Sequence, residues 1–116
     1  MKDKIYITIT GMKHYYDLMP FAIDTVVTCT KESNNAYDCE AIRCEIAPMG
    51  IVGFVANSLY TTANGTYSAG RIYDKVPRTF KVKVKFSTST KVICEVLPQE
   101  QKEPRYIVKK IKLSNH

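Results

Sequence analysis

Apolar and polar residues alternate with a period of two through most of this chain, a pattern that predicts short β-strands with one face buried. Ile5, Ile7 and Ile9 alternate with Tyr6, Thr8 and Thr10 until Gly11 ends the run. Residues 25–30 form a short β-branched stretch suited to a half-buried strand. In residues 41–46, Ile42, Cys44 and Ile46 share one face, and Ala41, Arg43 and Glu45 the other. The turn Pro48-Met49-Gly50 leads into a further strand over 51–55. Residues 79–86 carry the clearest alternation, with Phe80, Val82, Val84 and Phe86 pointing one way and Lys81, Lys83 and Lys85 the other. After a polar turn at 87–90, residues 91–97 return with Val92, Cys94 and Val96 inward, which completes a hairpin.

The stretches between are read from their breakers. Residues 12–24 are aromatic and contain Pro20, which excludes a central strand. They are expected to form a loop that carries Tyr15 and Tyr16 back over the sheet. Residues 56–61 read as a short helix capped by Asn57 or Ser58. Residues 62–70, rich in Gly, Ser, Thr and Asn, read as a mobile loop. Arg71-Ile72-Tyr73 suggests a short strand, with Pro77 in the turn after it. These elements imply one all-β domain over residues 1–97, a small β-barrel with a single short helix. From Pro98 the pattern fades, and residues 98–116 read as a basic tail or an edge strand.

Composition narrows the function classes. A chain of 116 residues can bury a core without staples. No apolar run approaches the roughly 20 residues that span a bilayer. No apolar leader follows Met1-Lys2-Asp3-Lys4, so a cytoplasmic protein is expected. The spacing of Cys29, Cys39, Cys44 and Cys94 fits no C-x-x-C pair. Buried, reduced thiols are therefore favoured over bridges or a zinc site, and no metal or cofactor is expected. Net charge is +6, unevenly placed. Residues 1–70 hold five basic and seven acidic side chains, whereas 71–91 hold seven basic and one acidic. Such clustering is the footprint of a polyanion partner, or else a solvated strand face. Catalytic signatures are missing: there is no Gly-rich phosphate loop, paired-histidine motif or nucleophile elbow. A non-enzyme without a small-molecule substrate is the expectation.

The remaining signal is Asn35-Ala36-Tyr37-Asp38, an aromatic and a carboxylate at a loop edge between two strands. Asn35, Tyr37, Asp38, Ala41 and Ile42, followed by Val52-Gly53, resemble the HIRAN domain. Gly11 and His14-Tyr15-Tyr16 resemble that family's upstream Arg-Tyr-Tyr block. The two blocks fall in the family's order and cover roughly residues 5–60. The resemblance implies an OB-like or SH3-like barrel that binds single-stranded DNA by its free 3′ end, in DNA repair or processing. It further implies a helicase or nuclease supplied in trans, since HIRAN modules are usually attached to such enzymes. Under it, His14, Tyr15, Tyr37, Asp38 and Phe54 would line the end pocket. The two tyrosines would stack on bases, and Asp38 would accept a hydrogen bond from the terminal hydroxyl while repelling a 3′-phosphate. His14 departs from the family arginine, and Phe54 and Asn57 stand where a member has histidine and lysine. Apart from any family, Lys81, Lys83 and Lys85, with Arg71, are candidate phosphate contacts, because alternate strand residues recur at roughly 6.6–6.8 Å. The competing readings are a core-anchoring tyrosine, a turn-capping aspartate, and a lysine-rich face that discourages aggregation. At the level of function, the alternative is a barrel that docks another protein through loop 62–70 or an edge strand, without binding nucleic acid.

Overall fold

The computed structural model describes residues 3–98. Six strands are present: β1 (Tyr6–Thr10), β2 (Val26–Lys31), β3 (Ile42–Ile46), β4 (Gly50–Val55), β5 (Thr79–Ser87) and β6 (Val92–Val96). All neighbours are antiparallel, and they close into a barrel in the order β1-β4-β3-β2-β5-β6. The alternation visible in the sequence becomes the barrel wall. Ile7, Ile9, Val27, Cys29, Ile42, Cys44, Val52, Phe80, Val82, Val84, Val92 and Cys94 all face the core. Burial of a residue of this kind is worth about 1.5–3 kcal/mol, so the interior is the main source of stability.

Two details of the wall bear on function. Gly53 pairs with Cys44, and a Cβ at this position would lie 2.8 Å from Ile9 Cγ2 and 2.9 Å from the Thr10 carbonyl oxygen. The Val52-Gly53 dipeptide therefore has a packing cause: β1 lies too close for a side chain. The second detail is a register shift between Val84 and Phe86 in the β5–β6 pair. This bulge places one more residue on β5 than on β6 and reverses the phase of the strand. Phe86, expected inward, is consequently 54% exposed.

Two further expectations are corrected. Residues 56–61 do not form a helix; Ser58 instead builds a tight turn, its carbonyl accepting from the Thr61 and Thr62 amides. The short helix is α1 (Ala69–Ile72), where Arg71-Ile72-Tyr73 had suggested a strand. Ser68 caps it, its Oγ accepting from the Arg71 amide at 3.3 Å. A 3₁₀ turn, Tyr73–Lys75, follows. Ala69, Ile72 and Val76 put the apolar side of this segment against the core, a helical spacing too short to register as a period. Within the loop expected over 62–70, Tyr67 is tied to the barrel, since it pairs with Ile7 of β1 and its amide donates to the Tyr6 carbonyl at 2.7 Å.

Residues 12–24 run as expected over the outside of the sheet. Gly11, at φ 76°, turns the chain out of β1 into a 3₁₀ turn at Met12–His14. Met12 and Phe21 anchor the crossing in the core, and the Tyr16 hydroxyl donates to the Met49 carbonyl at 3.3 Å. The tail or edge strand expected at 98–116 lies, beyond Pro98, outside the described residues. No helix among the described residues is long and apolar enough to cross a membrane.

Candidate functional site

Register sets the strands that carry the two motif blocks side by side on the barrel wall. Thr10 at the end of β1 pairs with Phe54, Phe54 with Arg43, and Arg43 with Thr30. The β2–β3 loop and the stretch after β4 leave at the same end, whereas the segment after β1, antiparallel to β4, leaves the other way and lies back over β4, where the Tyr16 hydroxyl reaches the Met49 carbonyl.

The β2–β3 loop is built by Asn35. Its Oδ1 accepts from the Tyr37 amide at 2.8 Å and the Asp38 amide at 3.0 Å, and its Nδ2 donates to Glu32 Oε1 at 3.0 Å. Asn side chains stabilise turns by bonding the backbone a few residues on. The result is that Tyr37 is 99% exposed, its ring standing free in solvent. The core-anchoring reading of this tyrosine is thereby excluded. Asp38 does cap the turn, since its Oδ1 accepts from the Glu40 amide at 2.9 Å. Its other oxygen has no partner among the described residues and can still accept a hydrogen bond.

Tyr15 is 41% exposed and rests against Phe54, with ring centroids 6.4 Å apart at 41°. That separation lies in the favourable range for tilted aromatic pairs. The two rings form a wall on the outer face of β4. His14 is exposed at the end of the 3₁₀ turn. Between this wall and Tyr37 runs a continuous row of side chains. Arg43, across from Phe54, reaches Glu32 Oε2 at 3.5 Å and Glu45 Oε1 at 3.3 Å, and Glu32 in turn holds Asn35. Tyr15 does not touch Tyr37 or Asp38; the row spaces them. On its far side, Glu40 Oε1 accepts from Asn57 Nδ2 at 3.3 Å, and Asn57 Oδ1 accepts from the Gly70 amide at 2.8 Å. The loop is thus fastened at both flanks.

The basic residues divide. β5 pairs with both β2 and β6, so its lysines lie on a central strand and not at an edge. Lys81 is exposed, whereas Lys83 is half-buried opposite Glu95. Lys85 Nζ lies 3.7 Å from Glu95 Oε1, and Lys4 Nζ 3.6 Å from Glu95 Oε2. Glu95 therefore offsets part of the stripe. Arg71 is exposed on α1, its guanidinium stacked 4.4 Å over the Tyr67 ring. Arg43 and Arg78 were not singled out from the sequence. Both line a hollow with Lys31, Glu32 and Asn35 beside the loop. Only their place in the register, invisible in a linear pattern, puts them there.

The cysteines carry no site chemistry. Cys29, Cys44 and Cys94 are buried and free, with the Cys29 and Cys44 sulfurs 3.8 Å apart, and only Cys39 is exposed. Burial pushes the Cys44 and Cys94 thiols well above the ordinary range, with neighbouring Cys29 adding to the effect. Among the described residues no group of three or more His, Cys, Asp or Glu side chains could hold a metal ion.

Comparison with solved structures places the whole arrangement. The barrel superposes on the crystal structure of the HIRAN domain of human HLTF with a TM-score of 0.55, covering 80% of this chain and 72% of that one at 16% identity. The fold is that of a HIRAN domain. No family model matches the sequence, and no curated protein does. The HIRAN likeness thus lives in the backbone and in a handful of positions. Two of these now have local causes: the Asn35 turn and the close approach at Gly53.

Proposed function

We propose that this protein is a non-catalytic module that binds single-stranded DNA along the outer face between Tyr15 and Tyr37 and seats a free 3′ end beside Tyr37, in DNA repair or processing. A helicase or nuclease in trans would supply the chemistry. The observation that carries this reading is Tyr37, a large ring held almost wholly in water by an ordered, doubly fastened turn. Keeping an aromatic out of the core forgoes its burial energy, and a platform for a base accounts for the expense. Tyr15 against Phe54 offers a second flat surface, and the unpartnered Asp38 oxygen suits a terminal hydroxyl. The HIRAN motif residues and the HIRAN fold support the same assignment.

Fluorescence anisotropy with a labelled single-stranded oligonucleotide tests it. Tyr37→Ala is expected to weaken binding by roughly 5- to 150-fold, the equivalent of about 1–3 kcal/mol of stacking. A 3′-phosphate is expected to weaken the parent protein by roughly tenfold through repulsion from Asp38, and Asp38→Asn should narrow that difference. Equal binding by parent, Tyr37→Ala and Asp38→Asn would refute the end pocket.

A further inference from the structure

A strand whose end is seated beside Tyr37 has to leave the pocket on one of two flanks. Toward β5 it would cross the outer face of β3 and β2, where Glu32 and Glu45 bracket Arg43. Lys81 lies beyond them, three strand spacings from Phe54, or about 14 Å along the sheet. On the opposite flank, the Glu40–Asn57 hydrogen bond leads directly to a groove of about 330 Å³ between the turns after β4 and α1.

Asn57, Leu59, Thr62, Asn64 and Arg71 are among the residues that line this groove, and no carboxylate is. Its one charge is prepared for an anion. The Arg71 guanidinium carbon sits 4.4 Å from the ring centroid of Tyr67, whose backbone is tied to β1. A guanidinium held over an aromatic ring keeps its charge in place and can bind a phosphate bidentately through its N–H groups. No acidic group lies within 4 Å of it among the described residues. Thr62 lines the same wall, and its Oγ1 is buried with no hydrogen-bond partner among the described residues. Tyr60, next in the chain to the lining residue Leu59, is 92% exposed on the Ser58–Thr61 turn, whose hydroxyls are 2.8 Å apart.

We infer that this groove is a second subsite, binding a backbone phosphate of the same strand through Arg71 with a base on Tyr60. The inference rests on the end-pocket reading. The β5 lysines then attract the strand through their field without holding it.

Two oligonucleotides with free 3′ ends separate the sites, a tetranucleotide confined to the end pocket and a ten-nucleotide strand that reaches the groove. Arg71→Gln and Tyr60→Ala are expected to bind the tetranucleotide like the parent but the longer strand at least fivefold more weakly. Arg71→Gln should also lower the salt slope of the longer strand by about 0.7, the loss of one phosphate contact on a single strand. Arg71→Lys should restore the slope, because the charge remains, but not the full affinity. Unchanged melting temperatures verify that each variant is folded. If both groove variants bind the longer strand within twofold of the parent while Tyr37→Ala is weakened, the groove inference is wrong and the end pocket stands. If Tyr37→Ala and Asp38→Asn bind both oligonucleotides like the parent, both are wrong.

Discussion

Gly53 shows how much a single position can decide. Its Cα–H faces Ile9 and the Thr10 carbonyl at distances no Cβ tolerates, and both contacts belong to the strand that launches the Tyr15 segment. Gly53→Ala should destabilise the barrel by about 1–3 kcal/mol through overpacking, measured as a lower denaturation midpoint. The cysteines give a second residue-scale test. In the native protein only Cys39 should react with a thiol reagent, and all four cysteines after denaturation. Cys44 and Cys94 are held protonated by burial, while the same thiols in the unfolded chain ionise near pH 8.5. Above that pH the unfolded state binds fewer protons than the native one. Stability should therefore be flat below about pH 8 and fall as pH rises past about 9, a trend readable from urea midpoints. The sequence announced the buried cysteines, because Cys44 and Cys94 alternate in step with Ile42 and Val92. It could not announce Gly53's neighbours, which are set by β1, more than forty residues away.

At the scale of elements, the β-strands were legible and the irregular pieces were not. Four core-facing alternations survive almost to the residue, since a period of two can be read directly from neighbouring side chains. α1 was misread as a strand because four residues span barely one turn, too few for a helical period to show. Phe86 was misassigned because a bulge adds a residue that the pattern has no means of marking. For the site, the Asn35–Asp38 turn was legible through its turn chemistry. Arg43 and Arg78 were hidden because the fold, and not spacing, brings them beside it. The loop itself makes a prediction. Asn35→Ala removes the acceptor for two amides and the link to Glu32. Faster amide exchange at Tyr37 and Asp38 is expected, with exchange in β2 and β3 unaltered and DNA affinity reduced toward that of Tyr37→Ala.

Across the whole molecule, the charge excess of +6 is a poor guide to where contact occurs. Glu95 engages two lysines, and Glu32 and Glu45 occupy Arg43, so part of the positive charge is offset locally, and on the proposed function the rest would act on DNA as a field. Its expected signature is an association rate that falls with salt, whereas changes at Tyr37 should appear in dissociation. Ring closure has a further consequence. Every strand of the wall is hydrogen-bonded on both sides, and Tyr67 occupies the stretch of β1 that β4 leaves uncovered. A polypeptide seeking to extend the sheet would find no vacant backbone row among the described residues. Any guest of this barrel must be gripped by loops and rings at its mouth, and the protein should resist the strand-by-strand stacking that leads to fibrils.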